Sequence, residues 1–228
     1  MAEPVEKLFD EFVSHYTLKQ FKKGEIIIFQ GEAPRSAFVV KSGVVKAYNL
    51  SVNGDEKPVG FYTARDTFPG AWTYGKTPSA IYYYEALSPD VSLYAVPRED
   101  YVNFIKSNPD LMFAELERYV IDHLAKSMRL NALQHSRAGD KLIYTLHYLA
   151  LSHGVRKSPQ TVEISLNLTH QDFANLTGLT RETAATELNK LKHLGIISYG
   201  KHTLYQIRLD KLATMLNDQY IAELELKI

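Results

Sequence analysis

Residues 169–207 read THQDFANLTGLTRETAATELNKLKHLGIISYGKHTLYQI, and this segment carries the most specific structural signals in the chain. It predicts two short helices, because Thr169 and Thr180 are good helix N-cap residues and Gly178 ends the first helix. A later glycine ends the second helix, and a hairpin that turns near Gly200 follows. The order helix, glycine turn, helix, hairpin is typical of a winged helix-turn-helix.

The two faces of the second predicted helix differ in character. Its apolar residues recur at helical spacing and are predicted to be buried: Ala184, Leu188, Leu191 and Leu194. Its other face carries small and polar residues, which an αα-hairpin packed into a protein core would not require. Short side chains would let the backbone enter the DNA major groove, where Arg181 would donate to guanine or phosphate and Glu182 would accept from cytosine N4.

Charge supports a DNA interface locally rather than globally. The chain has 26 basic and 26 acidic residues, yet residues 126–208 hold 11 Lys and Arg against 5 Asp and Glu. Helix N-terminal amides from Thr169 to Gln171 and the side chains of three residues are predicted to contact phosphates: Lys190, Lys201 and His202. The full set of predicted DNA contacts is Thr169, His170, Gln171, Thr180, Arg181, Glu182, Ala185, Thr186, Lys190, Lys201 and His202.

The segments preceding this region are predicted to be mainly helical. After Pro109, apolar residues follow one another every three to four positions: Phe113, Leu116, Val120, Leu124 and Met128. This stripe is interpreted either as a dimer seam, which we favour, or as a helix that covers its own β-domain. The next segment, 141–153, predicts a buried helix with Gly154 as its C′ residue, and residues 162–168 predict a strand.

The first part of the chain predicts an antiparallel β-domain over residues 21–97, preceded by an amphipathic helix over residues 1–13. Six short β-branched or aromatic segments are bounded by turn residues: 26–29, 37–43, 44–50, 57–63, 81–87 and 91–96. Asn53-Gly54 indicates a tight hairpin in which both central residues have positive φ.

Composition excludes several classes of protein. The chain has no cysteine, which rules out disulfides, thiolate nucleophiles, cysteine-bound zinc and iron–sulfur clusters. Apolar runs are far shorter than the roughly 18 residues that a membrane span requires, and no signal peptide is recognisable. We predict a cytoplasmic protein with no catalytic residues, no metal site, no cofactor and no membrane partner.

The segments GEIIIFQGEAPRSAFVVKSGVVKAY (24–48) and LTHQDFANLTGLTRETAATELNKLKHLGII (168–197) resemble the superfamily of the cyclic AMP receptor protein and FNR. The resemblance covers nearly the whole chain and implies an α+β fold. Its parts would be a jelly-roll β-roll sensor domain similar to cyclic-nucleotide-binding domains (1–108), a dimerisation helix (109–138) and a winged helix-turn-helix (139–228). It implies a homodimeric transcription regulator that binds near-palindromic double-stranded DNA, with RNA polymerase as a further candidate partner. Many members carry a second arginine where this chain has Thr186, so the preferred half-site does not transfer.

The region that corresponds to the family's ligand pocket departs from its pattern. Members that bind cyclic nucleotides carry Gly-Glu for the ribose and Arg-Ser or Arg-Thr for the phosphate, whereas this chain has Gly70-Ala71 and Pro78-Ser79. Without that bidentate arginine, cyclic AMP control is not expected, and the effector is unknown or absent. The candidate pocket residues are Gly70, Ala71, Trp72, Tyr74, Ser79, Tyr83 and Ser127. The aromatic residues of this region indicate either ordinary β-packing, a pocket for another small molecule, or a pocket filled by the protein's own side chains: Trp72, Tyr74, Tyr82, Tyr83 and Tyr84.

Residues 70–77, GAWTYGKT, also fit the phosphate-binding loop pattern G-x-x-x-x-G-K-[ST]. That loop requires a strand before it and a helix N-terminus after it, and the following segment predicts a strand instead. An ATP-binding or hydrolysing protein is therefore a disfavoured alternative. A ligand-binding module whose helical domain contacts protein is the third hypothesis, based on the neutral net charge.

Overall fold

The computed structural model describes residues 3–200 and 204–216, which fall into two compact units that divide between Arg118 and Tyr119. The predicted α+β class is confirmed: the antiparallel β-domain is followed by a long helix and then by a helix-turn-helix, after which come a short hairpin and a last helix. The three-part domain division at residues 108 and 138 stays a prediction. None of the described helices is both long and apolar enough to cross a membrane.

The first unit is a roll made of two four-stranded antiparallel sheets. Its helices are α1 (Glu3–Ser14), α2 (Gly70–Thr73) and α3 (Arg98–Ser107). Its strands are β1 (Thr17–Lys22), β2 (Ile26–Ile28), β3 (Ala37–Ser42), β4 (Val45–Leu50), β5 (Glu56–Tyr62), β6 (Thr67–Phe68), β7 (Tyr83–Ala86) and β8 (Asp90–Val96). One sheet has the order β1-β8-β3-β6 and the other β2-β7-β4-β5. All six strands expected from the sequence are present.

Aromatic rings fill the interior of the roll. The Phe68 ring stacks on Tyr84 with 4.9 Å between centroids and lies 5.7 Å from Phe38 and 5.3 Å from Tyr62. Phe38, Phe68 and Tyr84 are buried in one apolar cluster with residues of both sheets. Large apolar side chains thus occupy the space between the sheets.

The hairpin at Asn53-Gly54 is present, but its predicted turn geometry is wrong. Gly54 has φ +83°, whereas Asn53 is not among the residues with positive φ. The Gly54 amide donates to the Ser51 carbonyl at 2.9 Å, and the Ser51 amide donates to the Asp55 carbonyl at 2.9 Å. The loop therefore has three residues, and only the last of them needs the left-handed conformation that glycine permits.

The second unit is helical with one small sheet. Its helices are the end of α4 (Pro109–Gln134), which begins in the first unit, then α5 (Ala138–His153), α6 (His170–Thr177), α7 (Arg181–His193) and α8 (Leu209–Met215). Its strands are β9 (Gly154–Ser158), β10 (Thr161–Ile164), β11 (Ile197–Ser198) and β12 (Gln206–Arg208), in the sheet order β11-β12-β10-β9.

Two details around Gly154 correct the sequence analysis. The residue follows α5 as predicted, but its φ of −85° and ψ of 139° are extended rather than the left-handed values usual for a C′ glycine. A larger residue would clash at this position, because a Cβ would lie 2.2 Å from the Ala150 carbonyl oxygen and 2.4 Å from a methyl of Val162. The strand predicted over 162–168 is shorter than expected, since β10 ends at Ile164 and pairs with β9, which was not predicted.

The apolar stripe of α4 is mostly exposed. Phe113, Leu116, Val120 and Leu124 keep 61%, 53%, 56% and 40% of their surface exposed, whereas Met128 is buried. In the first unit, Phe113 and Leu116 are thus exposed rather than covered by the β-domain, so the interpretation of α4 as a helix that only covers its own domain is not supported. Among the described residues, Phe113, Leu116, Val120 and Leu124 form an exposed apolar face.

Candidate nucleic-acid interface

Side-chain caps fix both helices of the helix-turn-helix. Thr169 Oγ1 accepts from the Asp172 amide at 3.2 Å while the Asp172 carboxylate accepts from the Thr169 amide at 2.7 Å, which completes a capping box for α6. Gly178 ends α6 with φ +69°, a left-handed conformation. Thr180 Oγ1 accepts from the Thr183 amide at 3.2 Å and begins α7. The helix ends predicted from Thr169, Gly178 and Thr180 are therefore confirmed.

The apolar stripe of α7 anchors it to the unit, with one exception. Ala184, Leu188 and Leu191 are buried as predicted, but Leu194 is 58% exposed. The helix ends at His193, so the periodicity that would bury Leu194 no longer applies there. Ile196 and Ile197 are buried in its place after the chain turns at Gly195.

The opposite face of α7 is open. Ala185 is half-buried. Five other residues on this face are exposed, either predicted DNA contacts or their neighbours: Arg181, Glu182, Thr186, Asn189 and Lys190. The helix thus presents short side chains on its N-terminal two turns with one arginine and one glutamate at its start. Lys190 is held by an ion pair of 2.6 Å to Glu187 on the same helix, so a phosphate contact by Lys190 would compete with this pair.

The three residues at the start of α6 that are predicted to contact phosphates differ in the hydrogen-bond donors that they have available. The Thr169 amide is already bound to Asp172, so the His170 and Gln171 amides are the helix N-terminal donors that remain. Gln171 Nε2 donates to Asn175 Oδ1 at 2.8 Å. Burial lowers the pKa of His170, and the positive charge of Arg181 lowers it further, so the imidazole is neutral at pH 7.

The wing is a short hairpin in which Ile197 pairs with Ile207 and Ser198 with Gln206. Lys201 and His202, two of the predicted phosphate contacts, lie outside the described residues. The residue that joins the wing to both helices was missed by the sequence analysis. It is Tyr199, whose position between a strand and Gly200 is the signal that could have drawn attention to it.

The candidate ligand-pocket residues lie in several different structural elements. Gly70, Ala71 and Trp72 form α2 and Tyr74 follows it, with the guanidinium of Arg98 5.5 Å from the Trp72 ring. Ser79 lies in the next turn. Tyr83, on β7, stacks on Tyr48 with 5.4 Å between centroids.

Ser127 lies on α4 in the second unit, and its hydroxyl donates to the His123 carbonyl at 2.9 Å. Across residues 3–200 and 204–216, no group of three or more His, Asp or Glu side chains comes together in a way that could hold a metal ion.

The 70–77 segment does not have the geometry of a phosphate-binding loop. Its helix, α2, lies inside the motif rather than after it, and the amides of residues 73–77 all donate to backbone carbonyls between Pro69 and Trp72, at 2.8–3.3 Å. A phosphate-binding loop needs such amides free to face the phosphates. The ATP-binding alternative is therefore not supported.

Comparison with known proteins agrees with this architecture. The family model of the cyclic nucleotide-binding domain matches residues 18–108, and that of the Crp-like helix-turn-helix domain matches residues 140–215. The chain is 27% identical over 186 residues to the global nitrogen regulator of Synechococcus elongatus, which covers 81% of this chain and 82% of that protein. It is 24% identical over 198 residues to the cyclic AMP receptor protein of Thermus thermophilus, which covers 86% of each chain.

Among solved structures, a mutant of CooA from Carboxydothermus hydrogenoformans superposes with a TM-score of 0.70 at 21% identity, covering 90% of this chain and 89% of that one. This likeness concerns the fold. The two matched domains lie in the order in which the roll and the helix-turn-helix occur here, joined by the long helix. The chain therefore belongs to the Crp/Fnr superfamily of transcription regulators.

Proposed function

We propose that this protein is a homodimeric regulator that binds near-palindromic duplex DNA sequence-specifically and is not controlled by cyclic AMP. The observation that carries the proposal is the exposed outer face of α7, which begins with Arg181 and Glu182 after a capped turn. On this face Arg181 would donate to guanine or phosphate and Glu182 would accept from cytosine N4, while Ala185 and Thr186 keep the helix slim enough for the major groove.

Phosphate contacts would surround these base contacts. The amides of His170 and Gln171 and the side chains of Thr180, Lys190, Lys201 and His202 are the proposed donors. Salt-sensitive binding to duplex DNA tests the function directly, because each phosphate contact releases counterions. A steep fall in affinity between about 50 and 200 mM salt is expected. Binding that ignores salt, or no binding to duplex DNA, would reject the proposal.

The dimer is proposed to form along α4. Its exposed apolar stripe runs from Phe113 to Leu124, about three helical turns, and burying such a stripe against a second copy is strongly favourable. A twofold dimer would place two recognition helices about 34 Å apart, which matches half-sites one DNA turn apart. The proposal includes a cytoplasmic location, where the DNA lies, and no catalytic step; RNA polymerase is a partner only if the protein activates transcription.

Independence from cyclic AMP is supported by the roll itself. The family's phosphate-binding arginine is replaced by Pro78, and aromatic rings fill the interior between the sheets. Of the aromatic residues predicted for this region, Tyr84 lies in the buried cluster between the sheets and Tyr82 packs against it, which favours a roll filled by its own side chains over a pocket for another small molecule. The protein would then be competent for DNA binding without a ligand.

Cyclic AMP is therefore expected to leave the protein unchanged. Adding millimolar cyclic AMP should not raise the unfolding temperature, because a ligand stabilises the native state only when it binds it. The measurement is a thermal melt with and without ligand, together with DNA affinity under both conditions. A ligand-dependent rise in the unfolding temperature would show that the roll still binds the nucleotide.

DNA binding should also depend on pH through His170. Since burial and Arg181 lower the pKa of this histidine, it is neutral in the free protein at pH 7, and a nearby phosphate would favour its protonated form. Affinity measured at constant ionic strength should rise as the pH falls from 7.5 to 5.5. The His170→Gln variant should lose this His170-dependent part of the rise. An unchanged pH profile in that variant would remove the His170 imidazole, though not its backbone amide, from the phosphate contacts.

A further inference from the structure

Tyr199 lies where the wing meets both helices of the helix-turn-helix. Its hydroxyl donates to Asn189 Oδ1 on α7 at 3.0 Å. The Lys192 ammonium, also on α7, donates to the Tyr199 carbonyl at 2.8 Å and lies 4.4 Å from the centre of the Tyr199 ring. The His170 ring on α6 meets the Tyr199 ring edge to face at 5.7 Å. One side chain at the start of the wing thus contacts both helices.

An aromatic column holds this side chain in place. The Tyr199 ring stacks on Tyr205 with 4.5 Å between centroids, and Tyr205 packs in turn on Phe173, in the core of α6, at 4.9 Å. Phe173 and Tyr205 are buried. A ring stacked on a buried column has little rotamer freedom, so the Tyr199 hydroxyl is presented to α7 at a fixed place.

The hydrogen bond from Tyr199 determines whether the acceptor oxygen or the N–H donors of the Asn189 side chain remain available for another hydrogen bond. An asparagine amide has one acceptor oxygen and two N–H donors on its nitrogen. Oδ1 is taken by the Tyr199 hydroxyl, whereas Nδ2 has no hydrogen-bond partner within residues 3–200 and 204–216. Asn189 is exposed on the same open face of α7 as Thr186. The side chain therefore offers donors, and donors match phosphate oxygens, guanine N7 and O6, or thymine O4.

We propose that Tyr199 is a positioning residue of the DNA-binding surface, which orients Asn189 so that its N–H donors meet a base acceptor, such as guanine O6 or N7 or thymine O4, rather than a phosphate of the bound DNA. The proposal rests on the proposed function. It also assigns Lys192 a structural role, because its ammonium is engaged by the Tyr199 carbonyl and ring rather than extended from the end of the helix.

The experiment is a double-mutant cycle on the full chain. Fluorescence anisotropy would measure the affinity of the wild type, Tyr199→Phe, Asn189→Ala and the double variant for two duplexes of equal length. One duplex is a site selected by the wild type and the other a scrambled sequence. Gln206→Ala is the matched control, since Gln206 is exposed on the same hairpin but donates to Glu163 on β10 rather than to α7.

Tyr199→Phe should weaken binding to the selected duplex about fivefold per half-site, the equivalent of one net hydrogen bond, and leave the scrambled duplex unaffected. Asn189→Ala should weaken it at least as much, and the double variant should bind no more weakly than Asn189→Ala alone. Gln206→Ala should match the wild type.

Several results would overturn the assignment: wild-type affinity in Tyr199→Phe, equal losses on both duplexes, or losses that multiply in the double variant. Asn189→Ala also tests the assignment without altering the aromatic column, and full affinity in that variant overturns it. If the wild type shows no salt-sensitive binding to duplex DNA, the proposed function fails and this inference fails with it. Failure in the variants alone leaves the function standing.

Discussion

Replacing Val120 and Leu124 by glutamate should convert the protein to a monomer and weaken its binding to a palindromic site on the order of 100-fold or more. Both side chains are exposed on the apolar stripe of α4 in the single chain. In the proposed dimer they face a second copy, where four carboxylates would be buried without partners and would repel one another. Each half-site would then be bound without the gain in effective concentration that the second half-site provides.

The oligomeric state is measured by light scattering on a sizing column, and DNA affinity by anisotropy. Lys126→Gln is the matched control, because Lys126 lies off the stripe and its exposed ion pair with Asp122, at 2.6 Å, contributes little to stability. The control should remain dimeric and bind DNA normally. A glutamate variant that stays dimeric at micromolar concentration would show that α4 is not the seam.

Arg181→Ala should weaken binding to the selected site by about 1–3 kcal/mol per half-site and relax the preference at one base pair of each half-site. Arg181 is exposed at the first position of α7, where a recognition helix reaches base edges. The loss is expected for the matching base pair only, because a side chain that reads a base contributes little once that base is changed.

Lys201→Ala is the contrasting variant. It should weaken the selected and scrambled duplexes alike and reduce the salt dependence, as loss of a phosphate contact does. Selection and sequencing with each variant, alongside titrations at two salt concentrations, distinguish the two behaviours. The reversed pattern, in which Lys201 sets the base preference and Arg181 does not, would refute the assigned roles.

The parts of the fold that the sequence predicted are those with local signals. Thr169, Gly178 and Thr180 each determine a helix end by contacts within four residues, so the helix-turn-helix is readable without tertiary structure. The strands of the roll are bounded by turn residues in the same way. Helix α3, by contrast, was missed although Pro97 and two acidic residues mark its start.

The errors have different causes. Gly154 is required by the close approach of the Ala150 carbonyl, one helical turn earlier, and of Val162 on β10, which the sequence pattern does not reveal. The burial of Leu194 was predicted by extending the helical period past the point where α7 ends. The role of Tyr199 depends on four partners from both helices and the wing, and only the folded arrangement brings them together.

Whether the ligand-free protein binds specific DNA is measured by selecting bound sequences from a pool of random duplex DNA. We expect enrichment of a near-palindrome whose half-sites lie about one helical turn apart, with the same sequence recovered when cyclic AMP is added. Enrichment only in the presence of cyclic AMP would show that the roll is not filled by its own side chains. No enrichment in either condition would contradict the proposal that this protein binds specific DNA without a ligand.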